Sequence, residues 1–287
     1  SLRRRQRQMC IRDRWRVINA ADYGRAQRRR RVFFFVFRND TNWGERLHTK
    51  YEATLSNDAD LNARLDCYAP YIFEDGLFGR QFPVKNEAVK KRINANKLDE
   101  DIAEVSANFS DGKMWNSGLM TNGYYYTIET EPKGDEEPIP MKKIVVKENQ
   151  VPEDYYVDGE KLEKFKYLRG PKKITRTAAN GHTYTFSEGG MSEYDSLELP
   201  GRTMLTSEGS VNRSTHLLKI DGKYRLITPI EAERLQDFPD DWTRYKRNTK
   251  GEVVEVSDRM RMFFMGNALV TGIVKRIGDE LQKIDAI

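Results

Sequence analysis

The sequence predicts an α/β protein, and three observations carry that prediction. An uninterrupted apolar run, Val32 to Phe37, has the length and Val/Phe composition of a strand covered on both faces, as in a parallel or mixed sheet. A terminal stretch from about Ala268 to Ile284 spaces Leu269, Ile273, Ile277 and Leu281 four apart, the apolar stripe of a helix. Between them, from Trp115 to Ile174, short β-type runs (Tyr124 to Ile128, Lys143 to Val146, Tyr155 to Val157) alternate with turn chemistry such as EPKGDEEPIP.

Taken in order, residues 1–14 lack periodicity, β-branched runs and caps. They resemble translated adapter read-through and are set aside as a non-native extension. From Trp15 the chain reads as a loop, a basic turn and the apolar strand. Residues 39 to about 115 alternate polar loops with short helical stretches, the clearest being a surface helix over Asn86 to Val105. Lys172 to Leu218 is rich in Gly, Ser, Thr and Arg and suits contact with a ligand. Thr228-Pro229 opens a helix with proline in its first turn, and Glu231 stands where a capping box needs it. Pro239 closes that segment, and no internal repeat is present.

Composition removes several classes of function. With 287 residues, 14 Tyr and 13 Phe, the chain can bury a core, although 32% of it is charged. Its longest apolar run is far below the roughly 20 residues that span a bilayer, so no membrane segment is expected. Cys10 and Cys67 stand far apart, which argues for a reducing compartment and against a disulfide framework or a cysteine zinc site. His48, His182 and His216 are scattered singly, and no metal site is expected. The net charge of +5 is local: residues 1–38 hold thirteen Arg against two Asp, which leaves the remainder net acidic.

Gln27, Arg29 and Arg31 form Q-x-R-x-R ahead of the apolar strand. In extended backbone they share one face, with Arg28 and Arg30 on the other. Forked guanidinium donors suit phosphate oxygens or a base carbonyl, whereas a solvated basic edge that discourages strand pairing needs the same residues.

The surrounding stretch NAADYGRAQRRRRVFFFVF resembles the eighth conserved block of DNA cytosine-5 methyltransferases, Y-G-x-P-Q-x-R-x-R followed by a strand, with Ala26 in the proline position. RLITPIEAERLQDFPDDWT (Arg225 to Thr243) is similar to the ninth block, with Asp237 where glycine is commonest. MGNALV (Met265 to Val270) is similar to the tenth and is expected to open the terminal helix. The three occur in the family's order. The resemblance implies the C-terminal portion of such an enzyme. Its expected fold class is α/β: a partial Rossmann-like S-adenosylmethionine-dependent methyltransferase catalytic domain plus a mixed α/β target-recognition domain. Residues 15–40 would end the catalytic domain, 41–218 form the target-recognition domain, and 219–287 return to the catalytic domain. Phe33 to Phe37 and Leu269 to Leu281 should then be spatial neighbours.

The implied reaction flips a cytosine out of double-stranded DNA and adds an enzyme cysteine to it. A glutamate assists at the ring nitrogen, and the methyl group of S-adenosylmethionine passes to carbon 5. By carry-over, Arg29 and Arg31 hold the flipped base and adjacent phosphate, supported by Gln27, while Asn267 and Ala268 line the cofactor pocket. Thr203 matches the family's threonine near the flipped base. Arg202 and Arg213 are candidate DNA partners within PGRTMLTSEGSVNRSTH, and Lys172, Lys173 and Arg176 within GPKKITRTAANGHTY. Neither cysteine matches the family's Pro-Cys block, so the chain alone is expected to bind S-adenosylmethionine weakly and to transfer nothing. A monomer in a prokaryotic or phage cytoplasm is expected, with room for a cognate restriction endonuclease in the same system. The alternatives are a non-catalytic DNA-binding specificity module and a general nucleic-acid-binding protein without base preference.

Overall fold

The computed structural model describes residues 11–56, 58–85, 93–97 and 114–285. Two compact units divide them. The first draws its described residues from Ser1–Tyr23, Arg30–Glu136 and Ile273–Ile287, the second from Gly24–Arg29 and Glu137–Gly272. Each unit draws on residues from more than one of the three expected segments, 15–40, 41–218 and 219–287. The first sheet recruits strands as far as Ile128, and the ninth-block helix buries itself among residues of the preceding hundred.

In the first unit, β1 (Ile11–Asn19) and β2 (Arg30–Arg38) pair antiparallel from Ile11↔Arg38 to Asn19↔Arg30. Helices α1 (Asn42–Leu47), α2 (Leu61–Phe73) and α3 (Gly76–Gln81) follow, then β3 (Ile93–Lys97), β4 (Ser117–Thr121) and β5 (Tyr124–Ile128). The sheet order is β2-β1-β4-β5-β3, with every neighbouring pair antiparallel. The expectation of a parallel or mixed sheet is therefore corrected for the described residues. So is the central position of β2, which lies at an edge. Phe35 and Phe37 pack against Trp43 of α1, but Val32, Phe34 and Val36 on the opposite face are exposed, Phe34 by 67%. One covered face turns a continuous apolar run into a period-2 burial pattern.

The boundary drawn at Trp15 is also corrected. β1 begins at Ile11, and Arg14 is buried with its Nη2 donating to Tyr71 O at 2.8 Å; residues 1–10, Cys10 among them, lie outside the described residues. Arg16, two positions on and on the same face, donates to Phe82 O at 2.8 Å and to Ile72 O. These carbonyls end α2 and α3, where helices leave acceptors unpaired and carry partial negative charge. Arg14, set aside with the extension, and Arg16 thus close helix termini. Trp15, on the other face, lies so close to Gly118 that a Cβ there would meet the indole at 2.0 Å. Of the helix expected over 86–105, residues 93–97 form β3 paired to β5; the rest lies outside the described residues.

The second unit contains α4 (Gly159–Arg169), the ribbon of β6 (Lys172–Thr177) and β7 (Thr183–Glu188), and the hairpin of β8 (Leu217–Ile220) and β9 (Lys223–Leu226). Then come α5 (Pro229–Leu235), the short pair β10 (Tyr245–Arg247) and β11 (Val253–Glu255), and α6 (Asp258–Asn267). Its core gathers Ala26, Met141, Ile144, Met204, Leu218, Ile227, Ala232, Leu235, Met262 and Met265. The strand expected at Lys143 to Val146 is absent, and that expected at Tyr155 to Val157 is reduced to an isolated antiparallel bridge, Tyr156↔Arg225, with Val157 N donating to Tyr224 O at 2.8 Å. Single helical turns end at Lys143 and Tyr155, and Ile144, Val146 and Val157 are buried from loops instead. Runs this short carry too little backbone pairing to compete with direct burial of their side chains.

The terminal helix α7 (Thr271–Asp285) starts three residues later than expected, because Ala268 is extended at φ −65°, ψ 158°. The Gly-Asn pair closes α6 and does not open α7. From Ile273 onward α7 belongs to the first unit, as do Phe33 to Phe37, while Leu269 belongs to the second. Its polar contacts run to other partners. Buried Glu280 accepts from Arg80 at 3.0 Å and Gln81 at 2.8 Å, and Arg276 forms a fork with Glu136 at 2.7 and 2.8 Å. Among the described residues no helix is long and apolar enough to cross a membrane, and no group of three or more His, Cys, Asp or Glu could hold a metal ion.

Candidate functional site

The second unit brings the three sequence blocks to one junction. Gln27 is fully buried: its Nε2 donates to Leu235 O at 3.1 Å, and its Oε1 accepts from the Met204 amide at 2.9 Å. Arg29, only 3% exposed, forks onto Met204 O at 2.7 Å and Gly266 O at 2.9 Å. Gln236 mirrors Gln27 from the ninth block, donating to Met265 O at 2.6 Å. The main chain adds to this, with Arg28 N donating to Gly201 O and Gly201 N to Ala26 O, both at 2.8 Å. Gly266 is required there, since a Cβ would lie 2.4 Å from Thr206 N. Gly266 and Met265 are thereby held against the loop that follows Gly201.

The expected alternation runs through all five residues: Gln27 and Arg29 are buried, Arg31 is half-buried, and Arg28 and Arg30 are exposed. Arg31 lies in β2 of the first unit and donates to the adjacent Arg30 O at 2.7 Å. Arg29 likewise spends both terminal nitrogens on backbone carbonyls, so in this arrangement it shapes the junction and offers no free fork to a base.

The ninth block is built on buried ion pairs. Thr228 and Glu231 complete the capping box, and Glu231 then takes Arg225 in a fork at 2.6 and 2.8 Å and the Val146 amide at 2.9 Å. Glu233 accepts from Arg261, at 3.1 Å, and from the amides of Asp241 and Thr243. Asp237, in place of the commoner glycine, has φ +60°, a conformation that Asp tolerates better than most residues with a side chain. Burial pushes its carboxyl up, against the Arg25 charge and a hydrogen bond from the Gly272 amide.

Most of the basic residues read as DNA partners are committed internally. Arg202 pairs with Asp195 through two nitrogens and reaches Thr215 O at 3.2 Å. Arg213 bonds Leu168 O and Gly189 O and pairs with Glu188 at 2.8 Å. Lys172 donates to Leu168 O at 2.8 Å. Each had the composition of a phosphate contact, but a nearby carboxylate or carbonyl claims it first. Arg176 keeps an exposed guanidinium 4.0 Å over the Phe186 ring, and Lys173 is exposed without a hydrogen bond or ion pair among the described residues. Thr203 donates to Arg28 O at 2.6 Å.

Sequence reasoning missed the buried cluster around Asp195. Burial raises that carboxyl, but the Arg202 hydrogen bond, His216 and the charges of Arg202 and Arg169 outweigh it and hold it well below the ordinary range. Burial lowers the fully enclosed His216 ring, yet Glu208 at 3.0 Å and Asp195 raise it further than burial pulls it down. No spacing in the sequence pairs these residues; the loop between Asp195 and Leu217 does.

At the tenth block, Asn267 is exposed with Nδ2 donating to Phe263 O at 3.2 Å, and Ala268 packs on the core. Met260, Phe263, Phe264 and Asn267 recur along one helix face of α6, all exposed. For a nucleoside cofactor this is an open apolar shelf with one carboxamide. Among the described residues of the second unit these supply an edge and no enclosure, so they do not by themselves fit S-adenosylmethionine as a complete site. Cys67, in α2, donates its thiol to Tyr51 O at 2.7 Å, and burial and the Glu52 charge push it up, the opposite of an activated thiolate.

Residues 12–283 match the family described as C-5 cytosine-specific DNA methylase. The chain is 48% identical over 273 residues to the type II methyltransferase M.Sau3AI of Staphylococcus aureus, an alignment covering 95% of this chain and 59% of that protein. The chain thus spans about 59% of the length of this curated relative.

Proposed function

We propose, because the chain belongs to the C-5 cytosine-specific DNA methylase family, that it carries the DNA-recognition part and the closing blocks of a type II enzyme methylating cytosine at carbon 5. The family uses S-adenosylmethionine as methyl donor. The observation that carries the reading is the junction of Gln27, Arg29, Gln236, Met265 and Gly266, which joins three separated blocks by buried, directed hydrogen bonds. A protein that only needed a core there could use apolar side chains; polar groups this buried specify one arrangement of the loops.

In this reading residues 15–40 and 219–287 serve a Rossmann-like catalytic body and 41–218 contain target recognition. Arg31 and Thr203 stand nearest in role to the extruded base, and Lys173 and Arg176 to the duplex backbone. Arg29 and Gln27 are positioning residues: they set the loop that bears Thr203. Asn267 and Ala268 form one edge of the donor site. Cys67 does not supply the nucleophile, since a thiol whose pKa is raised and whose proton is held by a carbonyl is a poor one.

Two measurements test this. The purified chain should retard double-stranded DNA in a gel, with affinity falling as salt rises, and should incorporate no label from tritiated S-adenosylmethionine. Labelled cytosine would overturn the exclusion of Cys67 and the incomplete donor site, and failure to bind any duplex would overturn the DNA role. The raised thiol pKa of Cys67 and its hydrogen bond to Tyr51 O also favour a second reading, a specificity module that binds DNA without chemistry. Added polypeptide bearing an activated cysteine would restore transfer in the first reading only.

A further inference from the structure

The β6–β7 ribbon stands as a two-stranded sheet by itself. An isolated pair of strands is marginal in water, and this one is secured at its base. Arg213 bonds Leu168 O and Gly170 O before the ribbon and Gly189 O after it, and pairs with Glu188 at the end of β7. Arg169 adds bonds to Ser192 O and Glu193 O.

The two faces of the ribbon differ in kind. One presents Lys172↔Glu188, Ile174↔Phe186 and Arg176↔Tyr184; Ile174 and Phe186 are half-buried, Arg176 lies over Phe186, and Lys172 is tied down. The other presents Lys173↔Ser187, Thr175↔Thr185 and Thr177↔Thr183. All six residues on that face are exposed, none has a side-chain partner among the described residues, and no carboxylate lies among them. The result is a firmly held, narrow element whose free face offers hydroxyl donors and acceptors with one cation at its edge.

Size selects the occupant. Six-residue strands extend roughly 20 Å, and two strands about 4.8 Å apart with short side chains fit the major groove of B-DNA, about 12 Å wide. Threonine and serine hydroxyls accept or donate as a base edge demands, and Lys173 and Arg176 suit the flanking phosphates. Resting on the DNA reading above, we propose that the β6–β7 ribbon enters the major groove and reads the target sequence, with Thr175 and Thr185 at base edges and Lys173 on a phosphate.

The test uses the purified chain and a pool of random duplexes, from which bound molecules are enriched and sequenced. A preferred duplex is then competed against its scrambled version. Changing Thr175→Val together with Thr185→Val keeps strand propensity and removes both hydroxyls. It should lower the preferred-to-scrambled ratio about tenfold or more, the scale of a lost base contact, while scrambled binding changes less than about threefold. Thr175→Ser with Thr185→Ser should restore the ratio and controls for folding, which circular dichroism checks. Lys173→Ala should weaken both duplexes alike and reduce the salt slope by about one. A ratio unchanged by the valine pair, or a wild-type chain that enriches no sequence, overturns the assignment of the ribbon and leaves the DNA reading standing. A wild-type chain that binds no duplex overturns both.

Discussion

Arg29 shows how a residue's chemistry can be legible while its use is not. A guanidinium two residues after a glutamine, ahead of a strand, was expected to share a face with it and to hold a substrate anion, and the fold buries both. Once inside, it meets carbonyls before any ligand, because Met204 O and Gly266 O lie within 2.9 Å of its two nitrogens. Lysine offers a single ammonium and cannot reproduce this planar fork. Arg29→Lys should therefore leave at least one buried carbonyl unpaired and cost about 1 to 3 kcal/mol, read as a lower urea midpoint at unchanged slope. A midpoint within error of the wild type would mean that the fork holds nothing. Arg14 and Arg16 teach the same point: their charge was visible in the sequence, but the helix ends that consume it come from residues more than fifty positions away.

Helix α5 was the most legible element, since its start is written locally by Thr228, Pro229 and Glu231. The sequence did not show that Glu231, beyond the capping box, serves two further masters: Arg225 and the Val146 amide. The two capping residues should then differ sharply on substitution. Thr228→Ala should cost about 1 kcal/mol, the ordinary loss of a cap. Glu231→Ala strands a buried guanidinium and should cost about 3 to 5 kcal/mol. Chemical denaturation of both variants checks the contrast, and equal losses would reduce Glu231 to a cap alone. The β6–β7 ribbon was legible in principle and missed: Asn180-Gly181 between Thr175, Thr177 and Thr183, Thr185 is a hairpin signal, hidden by the reading of that whole segment as loop. Gly181 indeed has φ +81°.

Across the molecule, the Asp195 and His216 cluster sets the response of the second unit to pH. The folded carboxyl of Asp195 is held below its ordinary 3.8, so its contribution is complete above that pH and is lost as acid approaches the lower folded value. His216 is raised above its ordinary 6.5, so its contribution is complete below 6.5 and is lost as pH climbs through the folded value. The contribution of this cluster to stability should therefore be greatest between about pH 4 and 6.5 and decline on both sides. Urea midpoints across pH 3 to 9 measure this, and His216→Gln should flatten the alkaline limb and, because the His216 charge helps to hold Asp195 down, also make the acid limb shallower; an alkaline limb unaltered by that change would remove His216 from the account. The sequence by itself determined the α/β class, the capped helix, the shared face of Gln27 and Arg29, and the family, because these depend on local period, caps and ordered blocks. Tertiary structure alone decided the antiparallel sheet with β2 at its edge, the partner that claims each arginine, and the place of the Gly-Asn pair at a helix end. Those outcomes depend on which carbonyls, carboxylates and apolar faces folding brings within a few ångströms, and no spacing along the chain encodes that distance.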